Sequence, residues 1–204
     1  MIESSTLTWE VTGSRGYETA WVDLDPGRSL LRARGRAVGT DPEPYWISYA
    51  LETGEAYVTR ELRVRAESAA GARELVLRRD GDGRWSADGA PLPELTGALD
   101  CDLGLCPLTN TMPVLRHGLH RRAGEHRFLM AWVRVAELTV HASPQTYTGR
   151  GPDGDGGAVI RYASGDFRSD VRFDADGFVV DYPELARRVA AVRGLPDGQD
   201  RPDR

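Results

Sequence analysis

The sequence predicts a mainly β protein: an antiparallel-rich sheet, curled or closed on itself, with one helix near the C-terminus. Three observations carry that expectation. Turn signals recur about every ten residues. Between them, apolar and polar residues alternate at the period of a strand. One late segment alone, "PELARRVAAVRG" (183–194), changes to the period of a helix.

The turns come first in the argument. Asp25-Pro26-Gly27, Thr53-Gly54, Asp80-Gly81-Asp82-Gly83, Asp88-Gly89, Asp153-Gly154-Asp155-Gly156 and Asp176-Gly177 are all turn-forming clusters. In "EAYVTRELRVRAE" (55–67), Ala56, Val58, Leu62, Val64 and Ala66 share one face and Tyr57, Thr59, Glu61, Arg63 and Arg65 the other. In "DFRSDVRFD" (166–174), Phe167, Ser169, Val171 and Phe173 alternate with Asp166, Arg168, Asp170 and Arg172. "FDADGFVVDY" (173–182) then contains an Asp-Gly hairpin signal. "RFLMAWVRV" (127–135) breaks the pattern, because Phe128, Met130 and Trp132 point one way while Leu129, Ala131, Val133 and Val135 point the other. A strand apolar on both faces belongs between two layers. For the helix, Pro183 suits a first turn, Leu185, Val189 and Val192 form one stripe, and Gly194 and Pro196 end it. Residues 1–193 show no repeat and no shift in composition, so one domain is expected, followed by a mobile polar tail over 194–204.

Composition narrows the function. The chain has 204 residues, 40% hydrophobic and 28% charged, with a formal net charge of −5. Such a chain buries about 70% of its unfolded surface and needs no staples. An acidic balance gives no reason to expect nucleic acid. All 26 basic residues are arginines. The start, "MIESSTLTWEV", lacks a basic, then apolar, leader, and no run approaches the ~20 apolar residues of a membrane span, so a cytoplasmic protein with no membrane insertion is expected. Two cysteines do not suggest a disulfide framework.

The stretch "LDCDLGLCPLTNTMPVLR" (99–116) concentrates the remaining chemistry. Cys101, Cys106, His117 and His120 approach a zinc-finger pattern, but their spacing falls outside it and two prolines interrupt the segment, so no metal or cofactor is expected. Asp100 and Asp102 project from one strand face and could serve as acid and base. Asn110, between threonines and bracketed by Pro107 and Pro113, reads as the holder of a rigid polar loop.

Asp100, Asp102, Pro107, Thr109, Asn110, Thr111, Pro113 and Arg116, in that order, resemble the signature of the bacterial putative glycolipid-binding family. "DGRWSADG" (82–89), "QTY" (145–147) and "DADGFVVDYPELARR" (174–188) extend the resemblance over about residues 7–190. It implies a spiral β-roll, similar in outline to lipoprotein carriers, and it brings no catalytic set.

The candidate site residues follow. Arg60 falls on the otherwise apolar face of Val58, Leu62 and Val64, where a guanidinium needs either a carboxylate such as Asp100 or Asp102, or a ligand. Asp102, Asn110, Arg116 and Gln145 offer groups suited to sugar hydroxyls or phosphate, and Trp46, Tyr49 and Tyr147 offer aromatic faces. The expected function is non-catalytic binding of an amphipathic small molecule, a glycolipid or related lipid, inside the roll. The competing readings are a small hydrolase acting on a sugar or acyl ester through Asp100 and Asp102, and a structural or interaction module with a filled core.

Overall fold

The computed structural model describes residues 1–154 and 156–194. Eight strands come first: β1 (Glu3–Val11), β2 (Gly16–Asp25), β3 (Leu30–Gly39), β4 (Tyr45–Thr53), β5 (Thr59–Ser68), β6 (Gly71–Arg79), β7 (Trp85–Ala87) and β8 (Ala90–Pro91). A four-residue strand, β9 (Asp100–Leu103), leads through a 3-10 turn (Pro107–Asn110) into a short helix, α1 (Thr111–His117). Six strands follow: β10 (Ala123–Val133), β11 (Val140–Arg150), β12 (Ala158–Ser164), β13 (Phe167–Phe173), β14 (Val179–Tyr182) and β15 (Ala186–Arg193).

All fifteen lie in one sheet, ordered β8 to β1 and then β15 to β9, so β1 and β15 join its two halves. Only β9 and β10 run parallel among these pairings. The sheet is curled but open, since β8 and β9 stand at opposite ends of the order. The β9 end is tucked inside, with all four residues buried. It is fastened to β5 by two bonds: Thr59 N–H donates to the Leu99 carbonyl at 3.0 Å, and Cys101 N–H donates to Thr59 Oγ1 at 3.0 Å.

This in-turned end divides the interior into two cores. On β10, Ala131 and Val133 join the larger core and Met130 the smaller, so the strand read as apolar on both faces does lie between two layers. The larger core is filled by Trp9, Leu31, Ile47, Leu51, Leu62 and Leu77. Each such leucine contributes about 1.5–3 kcal/mol by leaving water. Two tyrosines there cover glycines across the β3–β4 ladder, in the pairs Gly35↔Tyr49 and Gly39↔Tyr45. A Cβ at Gly35 would stand 2.2 Å from the Tyr49 ring, so only glycine admits that ring. The smaller core gathers Val114, Leu119, Ile160, Val171 and Phe173 with three tyrosines, Tyr147, Tyr162 and Tyr182.

Several expectations need correction. Residues 186–193 form β15, not a helix, and Val189 and Val192 are exposed. The period was misleading because β1 and β14 both need a partner for their backbone groups, and a short isolated helix could not supply one. Val189 stands at a register shift of β15 against β1, where Thr8 pairs with Ala190 and Trp9 with Arg188, which further blurs the alternation. The α-helix lies instead in the segment read as a rigid loop. Pro107 opens the 3-10 turn, and Pro113 lies in the first turn of α1, where a missing N–H costs nothing. Gly118 at φ 61° ends that helix. At the last described residue, the Gly194 N–H donates to the Ser4 carbonyl, and the rest of the expected tail lies outside the described residues.

Candidate polar mouth

The site is built on β9 and on the turn that follows it. Alternation along β9 sends Cys101 and Leu103 into the larger core and leaves Asp100 and Asp102 to face the other way. Each carboxylate there has its own partners. Arg116, near the end of α1, pairs with Asp100, and both side chains are almost fully buried. Among the described residues, Arg116 Nε and its second terminal nitrogen find no hydrogen-bond partner, and neither does Asp100 Oδ1. Burial pushes the Asp100 carboxyl up to about 6, with Arg116 offsetting part of the cost.

Asp102 ends a directed chain of hydrogen bonds. Asn110 Nδ2 donates to the Tyr147 hydroxyl at 3.3 Å, and that hydroxyl donates to Gln145 Oε1 at 3.4 Å. Gln145 Nε2 then donates to Asp102 Oδ2 at 2.7 Å. All three bonds point toward the carboxylate, the arrangement in which neighbouring bonds polarise one another. The Thr109 hydroxyl lies 3.2 Å from Asp102 Oδ1 and accepts the Leu103 N–H at 3.1 Å. Burial raises the Asp102 carboxyl, and the bonds from Gln145 and Thr109 counter it.

This chain reaches a surface cavity of about 340 Å³, lined by Asp102, Asn110, Trp132, Tyr162, Tyr182 and Leu185. Tyr162 stands edge-on to Tyr147 at 5.4 Å and packs against Tyr182 at 5.8 Å, so the aromatic wall continues the buried chain. The volume sits at the small end of the ~300–1,000 Å³ typical of ligand sites. That volume is the size of a compact group and too small for a long acyl chain.

Of the eight residues expected at the site, four come together. Asp102 and Asn110 line the cavity, with Gln145 and Tyr147 directly behind them. Arg116 lies inside the roll on Asp100 and is absent from the cavity wall. Tyr49 belongs to the larger core, where its hydroxyl donates to Glu18 at 2.5 Å. Trp46 is 61% exposed. Arg60 also faces outward, contrary to expectation. A bulge explains it: Glu52 pairs with Glu61 and Thr53 with Thr59, so Arg60 is the extra residue and Thr59 takes the inward position. The expected space inside the roll is likewise taken up by side chains of the larger core.

Glu18 went unnoticed in the sequence, although its parity with Ala20, Val22 and Leu24 places it inward on β2. Burial lifts its carboxyl to about 8, despite the bond from Tyr49. Tyr162 and Tyr182 were also missed; each is a tyrosine at the end of an apolar face, where the hydroxyl needs a polar exit. Among the described residues, no group of three or more His, Cys, Asp or Glu could hold a metal ion. Nor is any helix there long and apolar enough to cross a membrane.

Fold and site together define a curled, open β-roll with a polar pocket at its rim. Residues 6–188 match the model of the putative glycolipid-binding family, and the chain belongs to that family. A crystal structure of a DUF1089 family protein from Pseudomonas aeruginosa is similar over 84% of this chain and 92% of that one, at 28% identity and a TM-score of 0.68. A β-barrel-like protein of domain of unknown function DUF1849 from Brucella abortus matches over 95% of this chain and 98% of that one, at 7% identity and a TM-score of 0.49. Comparison with curated proteins gave no match.

Proposed function

We propose that the protein binds, without catalysis, the polyhydroxylated headgroup of an amphipathic molecule at this mouth. One observation carries the reading: a buried carboxylate, primed by a directed hydrogen-bond chain, lies at the wall of an aromatic-lined cavity. Asp102 and the Asn110 side chain suit sugar hydroxyls, and the Trp132, Tyr162 and Tyr182 rings suit the apolar face of a sugar ring. Leu185 and Val135 continue the wall with apolar surface for the start of a tail. The family's description as glycolipid-binding agrees with this chemistry. The hydrolytic alternative has less to work with, since Asp100 is committed to Arg116 and Asp102 is held by two donors.

Calorimetric titration with octyl β-glucoside below its micelle concentration tests the reading. Saturable binding is expected, and Asp102→Asn should weaken it about tenfold, the effect of one hydrogen bond to a charged acceptor. Absence of saturable binding, or identical binding by that variant, overturns the proposal. Turnover of a chromogenic glycoside that Asp102→Asn abolishes would replace it with the hydrolytic one.

A further inference from the structure

The outer face of β2–β4 shows a second feature, unrelated to the mouth. Strand pairing lays out a grid of side chains there. Tyr17, Thr19 and Trp21 of β2 stand opposite Val38, Arg36 and Arg34 of β3, which stand opposite Trp46, Ser48 and Ala50 of β4. Three aromatic rings are left in solvent, Tyr17 at 52%, Trp21 at 39% and Trp46 at 61% exposure. The Arg34 guanidinium sits 5.7 Å above the Trp21 ring.

The charges on this face are uneven. One strand further along, Arg65 is held by Glu67 and Glu74, and Arg63 by Glu61. Arg34 and Arg36, by contrast, meet no carboxylate among the described residues, and their cross-strand neighbours are Trp21, Ala50, Thr19 and Ser48. A hollow of about 450 Å³ beside Arg34 is lined by Ser5, Thr6, Trp21 and Arg32, and the carboxylates that also line it, Asp23 and Glu52, stand in the Arg32 row, one row away from Arg34. Two unpaired guanidinium forks, hydroxyl groups in a hollow and exposed tryptophan and tyrosine are the ingredients of contact with a phosphate-bearing lipid surface.

We propose that this face docks peripherally on an anionic bilayer, with Arg34 and Arg36 on lipid phosphates and Tyr17, Trp21 and Trp46 at the level of the headgroups. The chemistry favours a bilayer over other occupants. A long nucleic-acid strand would have to run past Asp23, Glu52 and Glu67 on a chain of net charge −5. A symmetric pairing of two copies centred on this patch would gather the Arg34 and Arg36 guanidiniums of both copies in one seam. A bilayer needs only the local patch.

Co-sedimentation of the full chain with vesicles of phosphatidylcholine containing about one-third phosphatidylglycerol, at low ionic strength, tests this. The protein is expected to sediment with these vesicles and not with pure phosphatidylcholine. Arg34→Gln and Arg36→Gln should each weaken binding roughly fivefold, and Trp46→Ala should weaken it further. Arg65→Gln, on the same face but already paired, should change it less than twofold. All four side chains project into solvent, and circular dichroism of each variant is the check that it folds. No sedimentation with anionic vesicles, equal binding by the Arg34→Gln/Arg36→Gln variant, or an equal loss in Arg65→Gln overturns the proposal. So does capture of oligothymidylate, or dimerisation, that the same two substitutions abolish.

Discussion

The two cores of this roll solve different problems with the same strand geometry. The larger core is a conventional filled interior, where Leu31, Leu51, Leu62 and Leu77 interlock and Glu18 with Tyr49 forms a polar island. The smaller core is threaded with polarity: Asp100 on Arg116, and Asp102 at the end of the Asn110–Tyr147–Gln145 chain. Burying such groups costs free energy, whereas burying leucine gains it. Stability alone would favour apolar replacements at those positions. The difference teaches that the first core is built to hold the sheet and that the second gives up part of that stability to hold polar groups behind the cavity wall.

Three substitutions test that contrast, beginning with the largest expected effect. Arg116→Met strands Asp100 in the smaller core and should cost about 3–5 kcal/mol in urea unfolding, while the combined Asp100→Leu/Arg116→Met variant recovers most of the loss. A single-variant cost below about 1 kcal/mol would show that the pair is not a structural commitment.

Glu18 probes the polar island of the other core. Its carboxyl is held neutral up to about 8 in the folded chain and ionises near 4.5 when unfolded. The unfolded state therefore releases its proton first as pH rises, and folding loses about 1.4 kcal/mol per pH unit between those two values, levelling off above the upper one. Glu18→Gln removes that term, so the variant should gain on the parent as pH rises from 5 to 8, read from urea midpoints at several pH values.

The smallest effect falls on the fastening between the cores. Thr59→Val deletes the acceptor of the Cys101 N–H and should cost about 1–3 kcal/mol. Amide hydrogen exchange should show that loss concentrated in residues 100–103.

Much of this architecture was legible along the chain. Alternation in Leu62, Val64 and Ala66 gives β5, and the two-faced Phe128–Val133 segment gives the strand between the cores. The Asp-Gly signal at 176–177 falls between β13 and β14 as expected. The failures are equally physical. One inserted residue, Arg60, reverses the parity argument for residues 55–60 of its own run, and bulges carry no residue signature of their own. Residues 186–193 carry a helical stripe that loses to the demand of β1 for a partner, which is non-local. At the mouth, Asp102, Asn110, Gln145 and Tyr147 were identifiable by chemistry, whereas Tyr162 and Tyr182 required knowledge of which strand ends converge.

The in-turned strand also bears on how the protein survives at high concentration. Open sheets recruit neighbours through ribbons of unpaired amides, and a fifteen-stranded sheet would ordinarily present two such ribbons. Here one is swallowed by the molecule itself at β9. The other is the two-residue β8, closed by Pro91, which has no amide to offer. One border is thus closed to a further copy, and the other is narrowed to residues 71–75 of β6, which pair with β5 on one side alone.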